Sequence, residues 1–193
     1  MEQFRISCAP GAVGRRLLLA FALLVLVSCG SPPPAQGART GQPPVYTPAE
    51  ASLFGDTFSP DFFGAERPIP LELDQKLVRR VAAADVVIGA RFSTVNRERR
   101  GDRQHFTLAI SPHGPQLAGP GRPEIWTLEV PPESPSYAWL SSVGGSLVGK
   151  YLIVFLKRYN VAGSVAVHWH IEPDTEPVRA AIGRARLITE VGT

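Results

Sequence analysis

The sequence predicts a mainly β (α+β) domain, a small five-stranded barrel or sandwich with peripheral helices, behind a signal peptide and a disordered tether. Three observations predict it. Residues 151–156 are apolar on both faces, as in a fully buried central strand. Apolar residues recur at helical spacing in two other segments, 71–84 and 173–191, and these segments predict the peripheral helices. Apolar and polar residues alternate, as in strands with one buried face, in four further segments: 86–93, 105–110, 125–130 and 164–171.

The connecting elements follow from spacing and from breaker residues. Apolar residues at helical intervals, with acidic residues in the first turn and Arg79-Arg80 late, predict an amphipathic helix over 71–84. A second such pattern, with Pro177 in its first turn, predicts a closing helix within 173–191. The remaining predictions are a charged hairpin tip at 96–103, a Pro/Gly-rich loop at 111–123, and a short helix or packed loop at 134–147.

The order of these strands resembles a known architecture. With Ala84–Arg91 opening the sheet and Gly149–Leu156 later in it, the chain resembles OB-type barrels of the metalloproteinase-inhibitor or netrin-like kind. Those extracellular domains begin with disulfide-forming cysteines that this chain lacks. The resemblance therefore implies a fold and no inhibitory activity; a small β-sandwich is the alternative.

Charge and cysteine content exclude several classes of protein. The formal net charge is +3, and Arg5, Arg15 and Arg16 against Glu2 account for most of it. The rest of the chain is nearly neutral, which argues against a nucleic-acid partner, because such domains need a clustered basic surplus. Two cysteines in 193 residues exclude a disulfide-rich scaffold and a cysteine-based zinc site.

The N-terminal segment predicts a lipid anchor. Basic residues precede an apolar run, Leu17–Val27, which is too short to span a bilayer and is typical of a signal peptide. The residues Leu26-Val27-Ser28-Cys29 then resemble the lipobox of bacterial lipoproteins. That resemblance implies cleavage before Cys29, diacylation of its thiol and acylation of its amine with fatty acids such as palmitate. Gly30, where an aspartate would favour inner-membrane retention, points to the outer membrane.

The sequence divides into three parts: a signal peptide at 1–28, a lipidated Pro-rich tether with an aromatic segment at 29–65, and a β-rich domain at 66–193. Residues 31–48 are rich in Pro, Gly, Ser and Ala, a composition that cannot form a core. In the aromatic segment Phe54, Phe58 and Phe62 recur every four residues. They are interpreted either as a strap packed on the domain, which is the favoured interpretation, or as a partner-binding segment.

Two histidines are the most suggestive chemical pair. His168 and His170 lie two residues apart on a predicted strand, so their imidazoles share a face and are suitably spaced to bind one zinc ion. A third ligand is needed, and His105, Glu172 and Asp174 are the candidates. The favoured interpretation is nevertheless a pair of solvated or hydrogen-bonded strand histidines, so no cofactor is expected, and zinc is the alternative.

The charged tip offers a second candidate surface. Arg97, Arg99 and Arg100 cluster there and are suited to contact an anionic lipid or partner. The favoured interpretation, however, is a charged hairpin that discourages edge-to-edge aggregation.

The overall prediction is a membrane-anchored lipoprotein that displays a small binding or assembly module to envelope proteins. The alternative is a metal-binding protein or metal-dependent enzyme that uses His168 and His170. No Gly-x-Ser-x-Gly elbow, phosphate-binding loop or paired-carboxylate motif supports another enzyme class.

Overall fold

The computed structural model of the protein describes residues 42–191. The strands are β1 Thr57–Phe58, β2 Val86–Arg100, β3 Arg103–Ala118, β4 Trp126–Val130, β5 Tyr151–Val161 and β6 Ser164–Pro173. The α-helices are α1 Pro48–Ala51, α2 Gln75–Ala83, α3 Tyr137–Val143 and α4 Glu176–Val191. Short 3₁₀ helices occupy Pro60–Phe63, Leu71–Leu73 and Gly144–Leu147.

The strands form one mixed sheet in the order β1-β6-β5-β2-β3-β4. The pairs among β2 to β6 are antiparallel, and β1 joins the β6 edge in parallel through Thr57↔His170 and Phe58↔Ile171. The mainly β prediction is confirmed, as are the five predicted strands. The sheet has a sixth strand from the aromatic segment and is not closed into a barrel.

Both faces of the sheet are covered. One face packs against α3 and the 3₁₀ helix that follows it, through the inward residues of the alternating strands, which include Phe92, Leu108, Leu128 and Trp169. The opposite face packs against α2 and α4. Residues Leu152–Leu156 of β5 contribute alternately to the two cores, which confirms the predicted central strand.

The β2–β3 hairpin is longer than the sequence predicts. Its loop is only Gly101-Asp102, and Gly101 has a φ of 65°, which suits the first position of a tight hairpin. The predicted tip at 96–103 is therefore mostly paired strand. The predicted loop at 111–123 is wrong up to Ala118, because β3 continues to that residue and pairs with β2. On its other side β3 pairs with β4 only over Phe106–Ile110. The rest of β3 is a free edge there, and prolines are tolerated on such an edge.

In all three predicted helical segments the α-helix begins a few residues after the start of the segment, at Gln75, Tyr137 and Glu176. The helix predicted over 71–84 starts at Gln75, because the Asp74 side chain accepts hydrogen bonds from the amides of Lys76 and Leu77 and caps α2. Leu73 consequently lies outside the helix and is exposed. Residues 134–147 contain the short helix α3. Within residues 42–191 no helix has both the length and the apolar character needed to cross a membrane.

The predicted domain boundary at residue 66 is wrong, because the aromatic segment belongs to the folded domain. Leu53 and Phe54 are buried with α2 and α4, and Phe58 packs against the other core. This confirms the strap interpretation. Phe54 is fully buried, so its assignment as a partner-binding residue is wrong.

Candidate functional site

The two predicted histidines lie on the same face of β6 but form hydrogen bonds with different residues. His168 Nδ1 lies 2.9 Å from an Asp56 carboxylate oxygen. His170 Nδ1 lies 2.8 Å from the Thr57 hydroxyl and its Nε2 lies 3.1 Å from Glu172 Oε1. An ionised carboxylate only accepts hydrogen bonds, so Nε2–H of His170 donates to Glu172 and Nδ1 accepts from Thr57.

Glu172 is the centre of a buried ionic network. Its side chain is fully buried, and Oε2 accepts a hydrogen bond of 2.5 Å from Arg67 Nη2. Arg80 Nη1 lies 3.8 Å from Oε1. Two guanidinium groups and one imidazole therefore surround a carboxylate that has no access to water.

A 3₁₀ helix and the helix α2 with its capping residue position the groups around Arg67 and Arg80. The 3₁₀ helix Pro60–Phe63 carries Asp61, whose carboxylate accepts hydrogen bonds from Nε and Nη2 of Arg67. Asp74, the cap of α2, lies 3.6 Å from Arg67 Nη1. Within α2, Arg80 donates from Nε to the carbonyl of Leu53 at 2.7 Å. The network thus ties the segment before α2 to the edge of the sheet.

Burial and charge shift the pKa values of the network in a consistent way. Burial alone would raise the pKa of Glu172, but the hydrogen bonds from His170 and Arg67 and the positive charge of Arg67 lower it to about 2. Burial lowers the pKa of His170, which keeps the imidazole neutral, and burial also lowers the pKa of Arg80. The cluster is therefore an ionised carboxylate held by two arginines, with a neutral imidazole donating beside it.

Asp56 organises the surroundings of His168. Its φ of 55° is a left-handed conformation, and its carboxylate also accepts a hydrogen bond from the Trp169 amide. Its carbonyl accepts one from the Ser136 hydroxyl. Tyr46 stacks on the His168 ring at 3.7 Å, and burial together with nearby carboxylates raises the pKa of Tyr46 to about 12. His168 is thus held by one carboxylate and one aromatic ring.

The predicted metal ligands do not converge. His105 lies opposite Glu98 on β3, and β2 and β5 separate that strand from β6. Among residues 42–191, no group of three His, Cys, Asp or Glu side chains is placed to hold a metal ion. Asp174 instead pairs with Arg179. Zinc binding by His168 and His170 stays a hypothesis, and Cys29 lies outside the described residues.

A cavity of about 180 Å³ opens beside the ionic network. Its apolar walls are Pro60, Pro68 and Ile69. Its polar lining is formed by Ser59, Arg67, Asp74, Lys76, Arg80, His170 and Glu172. Apolar walls with a few convergent polar groups are typical of a small-ligand site.

The arginine-rich hairpin is electrostatically balanced. Arg100 pairs with Glu129 at 3.0 Å, and Arg103 pairs with Glu133. Arg97 lies over the Phe106 ring at 5.7 Å, and Arg99 donates to the carbonyl of Gly101. Neighbouring carboxylates thus offset part of the positive charge that the sequence predicts for an anionic partner.

Four half-buried aromatic side chains form a second surface, which we call the aromatic ledge: Phe58, Phe62, Phe63 and Trp139. Two cavities, of about 130 and 270 Å³, flank the contact between Phe63 and Trp139. Lys150 lines the larger one. The sequence identifies Phe58 and Phe62 as candidate partner-binding residues. Trp139 joins them in the aromatic ledge only through the packing of α3, which the sequence does not reveal.

The sequence did not identify Arg67, Asp61 and Arg80 as members of a site. The available signal was weak: Glu172 continues the face of His168 and His170 along β6, and was considered only as a metal ligand. Comparison with known proteins adds no assignment, since no family model, curated protein or solved structure matches the chain.

Proposed function

We propose that this chain is a bacterial envelope lipoprotein, anchored through Cys29, whose β-rich domain binds a protein partner through the aromatic ledge. The observation that carries the proposal is the pair of cavities flanking Phe63 and Trp139 on a partly buried aromatic surface. Aromatic side chains dominate the binding energy of protein interfaces, and they do so when they are set in pockets.

The ledge is supported by rigid parts of the domain. Phe58 packs against Phe92 and Trp169 of the core, and Trp139 belongs to α3. Such support limits the conformational entropy that a partner must remove on binding. The ledge is therefore suited to bind an extended segment without rearrangement.

Charge indicates the kind of segment. Lys150 is exposed and lines the larger cavity, and it forms no ion pair with any of residues 42–191. Val148, beside it, is also exposed. A partner segment with apolar side chains for the two cavities and a carboxylate for Lys150 complements this surface.

The fold resemblance belongs to the same proposal. Strands β2 to β6 are five mostly antiparallel strands with α3 inserted between β4 and β5, which is consistent with a partly open OB-type barrel. One fold hosts many unrelated functions, so the resemblance by itself assigns no role. The proposed binding role therefore rests on the aromatic ledge.

The proposed lipid anchor predicts that a single substitution abolishes attachment of the chain to the membrane. Cys29→Ser removes the thiol that carries the diacylglyceryl group, so we expect unprocessed, unacylated protein. Metabolic labelling with a palmitate analogue and membrane fractionation measure this directly. Cys8→Ser, which lies before the apolar run, is the matched control and is expected to label normally. Equal labelling of the Cys29 variant would contradict the assignment.

The ledge predicts a loss of partner capture. In the native envelope, a photo-crosslinking residue at Ser146 is expected to join the chain to an apolar segment that carries an acidic residue. Phe63→Ala plus Trp139→Ala is expected to lower that yield about tenfold, because central aromatic contacts dominate binding. Lys150→Glu is expected to lower it as well.

The matched control is Ile125→Ala, which truncates an exposed apolar side chain at the start of β4 and away from the ledge. Its yield is expected to equal that of the unmodified chain. If capture is insensitive to the ledge variants, or if the captured segments share no apolar and acidic character, the ledge is not the partner site.

A further inference from the structure

The cavity beside Glu172 contains unpaired hydrogen-bond donors, whereas each of its two carboxylates already has a cationic or amide partner. Glu172 uses one oxygen for Arg67 and the other for His170. Asp74 uses Oδ1 for the amides that start α2, and its Oδ2 faces Arg67. Both carboxylates that line the cavity are therefore already engaged.

Arg80 supplies the unused donors. A guanidinium has five N–H groups, and the only hydrogen bond that Arg80 forms with residues 42–191 runs from Nε to Leu53. Its side chain is 9% exposed, so this charge is almost fully removed from bulk water. Its nearest carboxylate oxygen is 3.8 Å away, beyond hydrogen-bond distance. A buried guanidinium in this state is stabilised by any ligand that brings acceptor oxygens.

Lys76 adds a second cation at the rim. It is exposed, lines the same cavity and forms no ion pair with the residues that the structure describes. The lining holds three cations, Arg67, Lys76 and Arg80, and two carboxylates, and Asp61 behind Arg67 makes the whole cluster neutral. Arg67 contacts all three carboxylates, so Arg80 and Lys76 are the cations without a hydrogen-bonded carboxylate among residues 42–191.

We propose that this cavity binds a small organic carboxylate, whose oxygens accept hydrogen bonds from Arg80 and Lys76 while its short apolar body contacts Pro60, Pro68 and Ile69. A planar carboxylate matches the fork of donors on a guanidinium. The volume of about 180 Å³ suits a few non-hydrogen atoms, such as a short-chain acid or the C-terminal residue of a peptide. The site is separate from the aromatic ledge and does not depend on it.

Three ligands with the same number of carbons test the chemistry: butyrate, its neutral planar analogue butyramide, and the cation butylamine. Titrated into the full chain in detergent micelles, butyrate is expected to bind with a Kd of about 1 mM. Butyramide is expected to bind at least about tenfold more weakly, and butylamine not at all. The signal is the methyl resonance of Ile69 at the cavity wall, with the exposed Ile125 as the internal reference.

Variants test the residues. Arg80→Gln is expected to weaken butyrate binding at least about tenfold, and Lys76→Gln about threefold. Arg79→Gln is the matched control, since Arg79 precedes Arg80 on α2 and points to solvent. If Arg80→Gln does not fold, Lys76→Gln and the three-ligand series decide the matter without it.

Acetyl-alanyl-valine with a free C-terminus distinguishes a peptide terminus from a free acid. Binding of either carboxylate that depends on Lys76 or Arg80 supports the proposal. Equal binding of butyrate and butyramide, equal effects of the Arg79 and Arg80 variants, or shifts confined to Ile125 would overturn it.

Discussion

Replacing Glu172 with glutamine is expected to lower the free energy of unfolding by about 3–5 kcal/mol, because it leaves Arg67 and Arg80 buried without their shared anion. The loss of a partner from a buried ion pair is more damaging than the loss of the whole pair. Urea denaturation of the variant and of the unmodified chain measures the difference.

The control for this variant is Glu66→Gln. Glu66 precedes Arg67 in the same segment but is exposed, so its replacement is expected to change stability by less than about 0.5 kcal/mol. A double variant, Glu172→Gln with Arg67→Gln, is expected to recover part of the loss. If Glu172→Gln were as mild as Glu66→Gln, the buried network would not be a stabilising feature.

The same network sets the response to acid. The pKa of Glu172 is about 2 in the folded protein against an ordinary value of 4.5. Its contribution to the free energy of unfolding is therefore complete above pH 4.5 and is lost as the pH falls towards 2. Burial also lowers the pKa of His170, so below about pH 6.5 the unfolded chain gains a proton that the folded one does not. Both groups make the fold less stable in acid. Stability curves measured from pH 7 to pH 3 are expected to fall less steeply for Glu172→Gln.

The sequence correctly predicts the strands in which apolar and polar residues alternate along the chain. In β2, residues 86, 88, 90 and 92 share one core, and β3 and β4 repeat this with a period of two. Successive side chains of a strand point to opposite faces of the sheet, so the alternation in the sequence assigns each of these residues to the correct face. The same holds for the C-terminal helix, whose buried residues follow helical spacing.

The unpredicted part depends on contacts between distant segments. β1 has only two residues and exists because it pairs with β6, more than a hundred positions later. Arg67 and Glu172 are 105 residues apart, and neither lies in a motif that would connect them. A histidine on an alternating strand looks solvated when the helix that covers that face is not known. Sequence periodicity therefore found the strands but not the charges buried between them.

A chain that begins at Glu66 is expected not to fold, whereas one that begins at Gln42 is expected to fold cooperatively. The shorter chain lacks Leu53 and Phe54 of one core, the β1 strand, and the Asp61 partner of Arg67. Those losses together approach the total stability of a typical domain of about 5–15 kcal/mol. Circular dichroism and thermal unfolding of the two chains measure the result.

A pair of single substitutions isolates the role of the strap in that experiment. Phe54→Ala removes a fully buried ring and is expected to lower the unfolding free energy by about 3–5 kcal/mol. Phe63→Ala removes a half-buried ring of the aromatic ledge from the same segment, so its effect is expected to be less than half as large. Equal effects of the two substitutions, or a folded chain that starts at Glu66, would show that the aromatic segment belongs to the tether and not to the folded domain. The expected difference follows from burial, because Phe54 lies wholly within the core while Phe63 keeps part of its ring at the surface, where the proposed partner would contact it.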